Sequence, residues 1–385
     1  MTATKPNLAP VRGGLPARAR VPAVPRLLYL CLQQTVEGQA SHAHVHEIIA
    51  GLERRGWRVE LREIKADRSG QHGRLYYLWH YLRPQVGLWL RPWTRADVMY
   101  IRADALALPS FFWARLRRIP VIQEVNGPYS DRLVAKPWLK PFGGLLAALQ
   151  RFQYRRSAGL IAVTPLLGKW LQSEAPGTRV TLVPNGANTE LFHPGAVPSI
   201  DIPERYVILV GLLARWQGVP LLLAAAEHPD WPSGVDVLIA GSGDERERVE
   251  AAARKNPRIR YLGVVPYRDV PGLVARSLAG LSLKTAVTGR TETGMSPLKL
   301  YETLACGVPA IVTEYHGQAD VVRALECGLI VSQDDPAELA RAVARVAANE
   351  EERSEWGRRG FEAVHREHSW DQRAGTIHDL VRNLA

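Results

Sequence analysis

The stretch GMSPLKLYETLACGVPAIVT, residues 294–313, shows the pattern on which the fold depends: a helix followed by an apolar strand. Ser296 and Pro297 predict the helix start, because a serine side chain can cap free amides and proline suits the first helical position. Gly307 marks the stop, so we expect a helix over about 297–306. Its amide-rich start is a favourable place for a phosphate.

Two charges, Lys299 and Glu302, lie three residues apart and share one face of this helix. One interpretation is a structural ion pair on a half-exposed helix. The other follows from position, because the helix comes after a predicted strand at 279–284 and a loop, at the strand end where ligands of such folds bind. A carboxylate there can accept two hydrogen bonds from a ribose diol, while lysine or helix amides meet a diphosphate.

Apolar runs and helical stripes alternate along the whole chain. In the first half, Ala43, Ile48, Ile49 and Leu52 form such a stripe, which Gly56 ends. Strands are expected at RLLYLCLQQ, WRVEL, DVMYIR, PVIQEVNG, GLIAVT and RVTLVPNG, and in the second half at YVILVG, VDVLIAG, IRYLG, AGLSLK, PAIVT and GLIVS. Strands separated by helices predict an α/β protein with parallel sheets.

A cluster of proline and glycine, FHPGAVPSIDIPERY, separates the two halves and predicts two Rossmann-like domains that face a central cleft. We expect a flexible basic tail over 1–25, a first domain over 26–195 and a second over 205–367. The segment 368–385 is expected to be a helix that packs back toward the first domain.

Composition limits the setting of the protein. The 385 residues carry a formal net charge of +11, so the surface should attract anions such as phosphates, acidic lipids or nucleic acid. Cys31, Cys306 and Cys327 form no Cys-x-x-Cys pair, which favours a reducing cytoplasm. No apolar run of about 18 residues appears, so any membrane contact is expected to be peripheral. His42, His44 and His46 alternate and do not share a helical face, so we predict no metal site.

Three runs resemble one known family: SPLKLYETLACGVPAIVT, VPNGANTELFHP and GLLARWQGVPLLLAAAE. They are similar to retaining glycosyltransferases of family 4, which have the two-domain GT-B fold and use nucleotide sugars. The resemblance covers nearly the whole chain after the tail. It implies metal-independent transfer, without a cofactor, from a UDP- or GDP-linked sugar to a hydroxyl of a glycan or lipid-linked acceptor in cell-surface polysaccharide or glycolipid synthesis. The chain has no Asp-x-Asp, the metal signature of the other large glycosyltransferase fold.

The resemblance also assigns donor-binding residues. Glu302 matches the second glutamate of the family's Glu, seven residues, Glu motif and would bind the ribose. Gly294 stands at the position of the first glutamate, and Glu292 either replaces it or is a solvated loop charge. The full predicted donor-binding set is Glu302, Gly294, Met295, Ser296, Leu298, Gly38 and Gly241.

The family's arginine and lysine that neutralise the diphosphate are replaced by Leu212 and Gln217. Cations remain nearby in Arg215, Lys284, Arg290 and Lys299. Asn126, in EVNGP, matches the place where many relatives carry His-Gly near the reacting sugar, and Glu124 is its expected structural partner. The predicted catalytic set is Asn126, Lys299, Arg215 and Glu292.

Two segments, 74–95 and 136–156, interleave aromatic residues with arginine and lysine. This composition suits the headgroup level of an anionic membrane, at the inner face of the cell membrane, or else the apolar residues pack the first domain. A nucleic-acid-binding protein is a rival interpretation. Against it, the basic residues are scattered over both halves of the chain, and no known nucleic-acid-binding module accompanies them. A relative that has lost catalysis through Leu212, Gln217 and Gly294 is the second rival.

Overall fold

The computed structural model describes residues 24–35, 40–65, 74–91, 93–135, 137–286 and 292–384. Most of the predicted tail, together with Gly38 and Arg290, lies outside these ranges.

The first sheet has six parallel strands in the order β2-β1-β3-β4-β5-β6. Its strands are β1 (Arg26–Thr35), β2 (Arg58–Lys65), β3 (Val98–Arg102), β4 (Val121–Val125), β5 (Gly159–Ala162) and β6 (Val180–Leu182). The helices of this half are α1 (Ala40–Arg54), α2 (Arg74–Trp89), α3 (Leu108–Leu116), α4 (Ser130–Ala135), α5 (Gly143–Arg156) and α6 (Pro165–Glu174), with 3₁₀ turns at Ala105–Ala107 and Pro137–Phe142.

The second sheet is also parallel, in the order β12-β11-β10-β7-β8-β9. Its strands are β7 (Tyr206–Val210), β8 (Asp236–Ala240), β9 (Ile259–Gly263), β10 (Ala279–Ser282), β11 (Ala310–Thr313) and β12 (Gly328–Val331). The helices are α7 (Val219–Ala226), α8 (Arg246–Lys255), α9 (Val270–Ala275), α10 (Leu298–Ala305), α11 (Gln318–Leu325), α12 (Pro336–Ala348), α13 (Glu350–Ala363) and α14 (Trp370–Arg382), with 3₁₀ turns at Arg215–Gln217 and Tyr267–Asp269 and a π turn at Val364–His368.

Both sheets are buried on two faces, as their continuous apolar strands require. One core lies on each side of the second sheet, around Leu209 and Leu281 on one side and Ile208 and Val312 on the other. The predicted α/β class with two Rossmann-like sheets is therefore confirmed.

The last helix, α14, leaves the second half of the chain and packs on α1. A methyl group added at Gly51 would lie 2.3 Å from the Ala374 Cβ atom, so the two helices touch closely. Asp371 accepts two hydrogen bonds from the Arg55 guanidinium at 2.8 and 2.9 Å. Ile377 is fully buried against the core of the first sheet. Strand β1 and helix α14 thus belong to the same structural unit.

Candidate active site

The loop before α10 is held between the two halves of the molecule. Met295 N donates to His316 O at 2.8 Å, and Gly317 lies under it with a φ of 92°. A side chain at Gly317 would place its Cβ 2.1 Å from Met295 O, so only glycine permits this contact. From the first half, the Thr164 hydroxyl donates to Thr293 O. The start of α10 is therefore at the interface of the two sheets.

The predicted start of this helix is wrong in detail. Helix α10 begins at Leu298, and Pro297 stands at the N-cap position without a side-chain cap. The Ser296 hydroxyl instead accepts a hydrogen bond from Asn185 N at 3.0 Å, and Ser296 O accepts one from the Asn185 amide. The Ser296 hydroxyl also lies 3.3 Å from the Tyr301 hydroxyl of α10, so it joins the first half of the chain to a side chain of the helix and does not cap the helix amides.

Leu298 also faces the first half. Its side chain is 8% exposed and lies in an apolar cluster with Val183 and Trp370. The Leu298 side chain is therefore used in packing and is not available to contact a donor.

Two lysines converge on one amide oxygen beside α10. Lys299 Nζ lies 3.2 Å from Gln217 Oε1, and Lys284 Nζ lies 2.5 Å from the same atom. Burial lowers the pKa of Lys299 to about 8, although Glu302 partly opposes this. Gln217 thus holds two cations near the end of β7.

Glu302 has a different partner. Its Oε1 accepts a hydrogen bond from the Tyr267 hydroxyl at 2.7 Å, and the residue is 8% exposed. Burial raises the pKa of Glu302 to about 7, despite the Tyr267 hydrogen bond and the Lys299 charge. Helix α10 is mostly buried, so the half-exposed helix of the structural ion-pair interpretation is wrong. Tyr267, in VVPYRDVP, carried no sequence signal for this role.

The remaining predicted residues of the second half lie apart from these buried groups. The Arg215 side chain is 86% exposed, with Nε 4.0 Å from Glu245 Oε1. Glu292 is exposed in the loop before α10. Gly241 has a φ of 140°, and a Cβ there would lie 1.8 Å from Gly211 O, so glycine is needed where β7 and β8 end side by side.

In the first half, Asn126 donates to Glu124 Oε1 at 2.5 Å. The expected structural partnership of these two residues is therefore present. Glu124 is 1% exposed and also accepts from the Tyr100 hydroxyl at 2.7 Å and from Arg102 Nη1 at 3.3 Å. Burial disfavours its charged form, but His44, Arg102 and Asn126 outweigh burial and hold the pKa of Glu124 well below its usual range.

A polar chain connects this carboxylate to α10, and the sequence did not reveal it. His44 Nε2 lies 2.7 Å from Glu124 Oε1, and His44 Nδ1 lies 2.7 Å from Asn185 Oδ1. Asn185 continues to Ser296 as described above. Both ring nitrogens of His44 therefore lie close to oxygen atoms. The spacing of His42, His44 and His46 gave no indication of a partner 80 residues away.

The described residues hold no group of three or more His, Cys, Asp or Glu that could bind a metal ion. The described helices also include none that is long and apolar enough to cross a membrane.

Known protein families match both halves of the chain. Residues 41–191 match the family described as Glycosyltransferase Family 4, and residues 197–363 match Glycosyl transferases group 1. The two matches span both sheets, and the chain belongs to the group 1 glycosyltransferases with the GT-B fold. This confirms the resemblance found in the sequence.

The individual relatives share only a minority of their residues with this chain. The phosphatidyl-myo-inositol mannosyltransferase of Mycobacterium leprae is 26% identical over 75% of this chain and 74% of its own length. The 2-deoxystreptamine N-acetyl-D-glucosaminyltransferase of Streptomyces fradiae is 27% identical over 76% of this chain and 72% of its own. The structure of Anabaena HepE in complex with UDP superposes with a TM-score of 0.67 at 14% identity, over 93% of this chain and 100% of that chain, and so shares the fold.

Proposed function

We propose that this glycosyltransferase moves a sugar, with retention of configuration, from a UDP- or GDP-linked donor to a hydroxyl of a glycan or lipid-linked acceptor. In this proposal residues 205–367 bind the donor, and residues 26–195, joined by 368–385, bind the acceptor. The observation that carries it is that α10 presents both a buried carboxylate, Glu302, and Lys299, which shares the Gln217 Oε1 atom with Lys284.

The chemistry follows from charge. Glu302 accepts hydrogen bonds from the ribose hydroxyls, and Lys299 and Lys284 meet the diphosphate, supported by Arg215 from the solvent side. The glycosidic bond between the anomeric carbon and the diphosphate breaks, and the acceptor oxygen bonds to the same face of that carbon. The acceptor proton passes to the departing phosphate oxygen. No side chain becomes covalently attached and no metal or cofactor takes part.

Asn126 acts through hydrogen bonds in this scheme, because an amide is not a proton-transfer base at neutral pH. Glu124 fixes its side chain, so Asn126 offers its remaining polar atoms to the donor or acceptor. Glu292, Gly294 and Met295 line the sugar side of the donor, and Gly241 allows close backbone approach.

The first test is a thermal-shift panel with UDP, GDP, ADP, CDP, TDP and their sugar conjugates. A nucleotide at about 100 times its dissociation constant adds about 2.7 kcal/mol of stability. We expect stabilisation by one nucleotide, lost in Glu302→Gln and retained in Glu351→Gln, which changes an exposed glutamate of α13. A flat response to the whole panel would remove the proposal. Anomeric NMR of the product then tests retention, and an inverted product would refute it.

The acceptor side is proposed to touch an anionic membrane at the cytoplasmic face. Large apolar side chains are exposed on the first half at α2 and just after it, at α3 and in the segment 137–152, including Trp89, Trp93 and Trp138. Trp138 is 65% exposed, so the alternative that these residues pack the first domain fails for it. Purified protein should sediment with anionic vesicles at low salt and be released at high salt. Protein that stays in the supernatant at low salt would rule out this contact.

A further inference from the structure

An arginine-rich pocket opens at the edge of the first sheet opposite the candidate active site. Arg26 and Arg58 begin β1 and β2 and lie directly opposite each other in the strand register. Asn126 follows the carboxyl end of β4 and belongs to the cleft. Ligands of open parallel sheets bind at the carboxyl ends, so a pocket at the amino ends is outside the usual site.

The pocket has a cavity of about 210 Å³ and a strongly positive lining. Besides the two strand-initial arginines it contains Arg62 on β2 and, from the segment between α2 and β3, Arg91 and Arg95. Glu60 is its one acidic lining residue in the described part of the chain, and it pairs with Arg62. Five arginines thus face a single carboxylate.

Several arginines elsewhere in the protein form ion pairs with carboxylates. On the second half, Arg246 pairs with Glu250 at 2.7 Å and Arg358 with Glu355 at 2.8 Å. Within the described residues, the guanidinium groups of Arg26, Arg58, Arg91 and Arg95 form no ion pair, although the Asp97 carboxylate accepts a hydrogen bond from Arg26 N at 2.7 Å. Arg62 Nε is buried and has no hydrogen-bond partner in that same part of the chain. Arg26, Arg58, Arg91 and Arg95 are exposed, so water and salt screen part of their mutual repulsion, and an anion bound among them would offset the rest.

We propose that this pocket binds a phosphate group. A guanidinium donates two parallel hydrogen bonds to phosphate oxygens, which makes arginine the side chain best suited to a phosphate in a concave site. Thr94 adds a hydroxyl, and Trp93, 72% exposed, stands at the rim. The phosphate comes either from a lipid headgroup or from a soluble anion. The proposal does not depend on the transfer reaction, since the cleft lies at the other end of the strands.

Calorimetry with inorganic phosphate and pyrophosphate on the full chain tests the pocket. We expect the double variant Arg58→Gln/Arg95→Gln to lose about tenfold or more in affinity, because two charge-assisted contacts disappear. The control Arg254→Gln/Lys255→Gln removes two positive charges from exposed positions of α8 and should bind as the wild type does. Equal affinity of the two double variants, or no binding by the wild type at millimolar phosphate, would overturn the proposal.

Vesicles identify the source. Flotation with phosphatidic acid, whose phosphate is a monoester, is compared with phosphatidylserine vesicles matched in surface charge. A preference for phosphatidic acid that the Arg58→Gln/Arg95→Gln variant loses supports a lipid headgroup, whereas phosphate binding without that preference supports a soluble anion. The same variant should keep its thermal shift with nucleotide, so failure of the donor proposal and failure of the pocket are separate results.

Discussion

Glu302 and Glu124 are both buried carboxylates beside the cleft, yet their surroundings have opposite effects. Glu302 receives one neutral hydrogen bond, from Tyr267, and its pKa is raised to about 7. Glu124 receives hydrogen bonds or charge from His44, Arg102, Tyr100 and Asn126, and its pKa is held low. A carboxylate with satisfied partners supports structure, and one with unmet hydrogen-bonding capacity has room for a ligand.

The largest expected effect is on stability when Glu124 is changed. Glu124→Gln leaves the buried Arg102 without its carboxylate, and breaking a buried pair costs about 3–5 kcal/mol of unfolding free energy. Urea unfolding at pH 7 measures it, with Glu351→Gln as the surface control. A loss below about 1 kcal/mol would show that Glu124 is not the structural member of the comparison.

The contribution of Glu302 to stability should fall as pH rises, in contrast to that of Glu124, whose pKa is lowered. Its folded pKa lies above the unfolded value, so the protonated form contributes stability that is present below pH 4.5 and lost as pH rises through about 7. A change from 4.5 to about 7 corresponds to about 3 kcal/mol at most. Wild type should therefore weaken relative to Glu302→Gln over this range. Parallel unfolding curves for the two proteins from pH 5 to 8 would contradict the raised pKa.

Nucleotide binding should also depend on Glu302. Glu302→Ala is expected to weaken the nucleotide by about 1–3 kcal/mol, because ribose hydroxyls lose a charged acceptor. In the wild type, affinity should rise as Glu302 ionises near pH 7 and fall as Lys299 loses its charge above about pH 8. Calorimetry across pH measures both. Unchanged affinity in Glu302→Ala would assign the residue a structural role like that of Glu124.

The smallest effect is expected at Gln217. Gln217→Ala removes the shared acceptor of Lys284 and Lys299 and should cost about 0.5–1.5 kcal/mol of nucleoside diphosphate affinity through misplaced cations. The matching nucleoside, which lacks the diphosphate, serves as the control ligand. If Gln217→Ala lowers the affinity for the nucleoside and for the nucleoside diphosphate equally, Gln217 does not act through the lysines that meet the diphosphate.

The strands and the fold class were predictable, because each half of the chain has its own series of apolar runs bounded by glycine and proline. Glu302 and Lys299 were also accessible, since their spacing and position after a strand carry local information. The contact of His44 with Glu124 was not, because it joins residues far apart in sequence through burial alone. Ser296 shows the same limit: its local pattern predicted a helix cap, and a backbone amide at Asn185 took its hydroxyl instead.

The return of α14 to the first sheet gives the molecule two connections between its halves. They touch each other: Ala187 N donates to His368 O at 3.0 Å, and Trp370 N donates to Ala187 O at 2.9 Å. A side chain at Gly186 would place its Cβ 2.6 Å from His368 O, so the contact depends on glycine. Because the two crossings are joined by backbone hydrogen bonds, the halves cannot separate or slide at this point without breaking them.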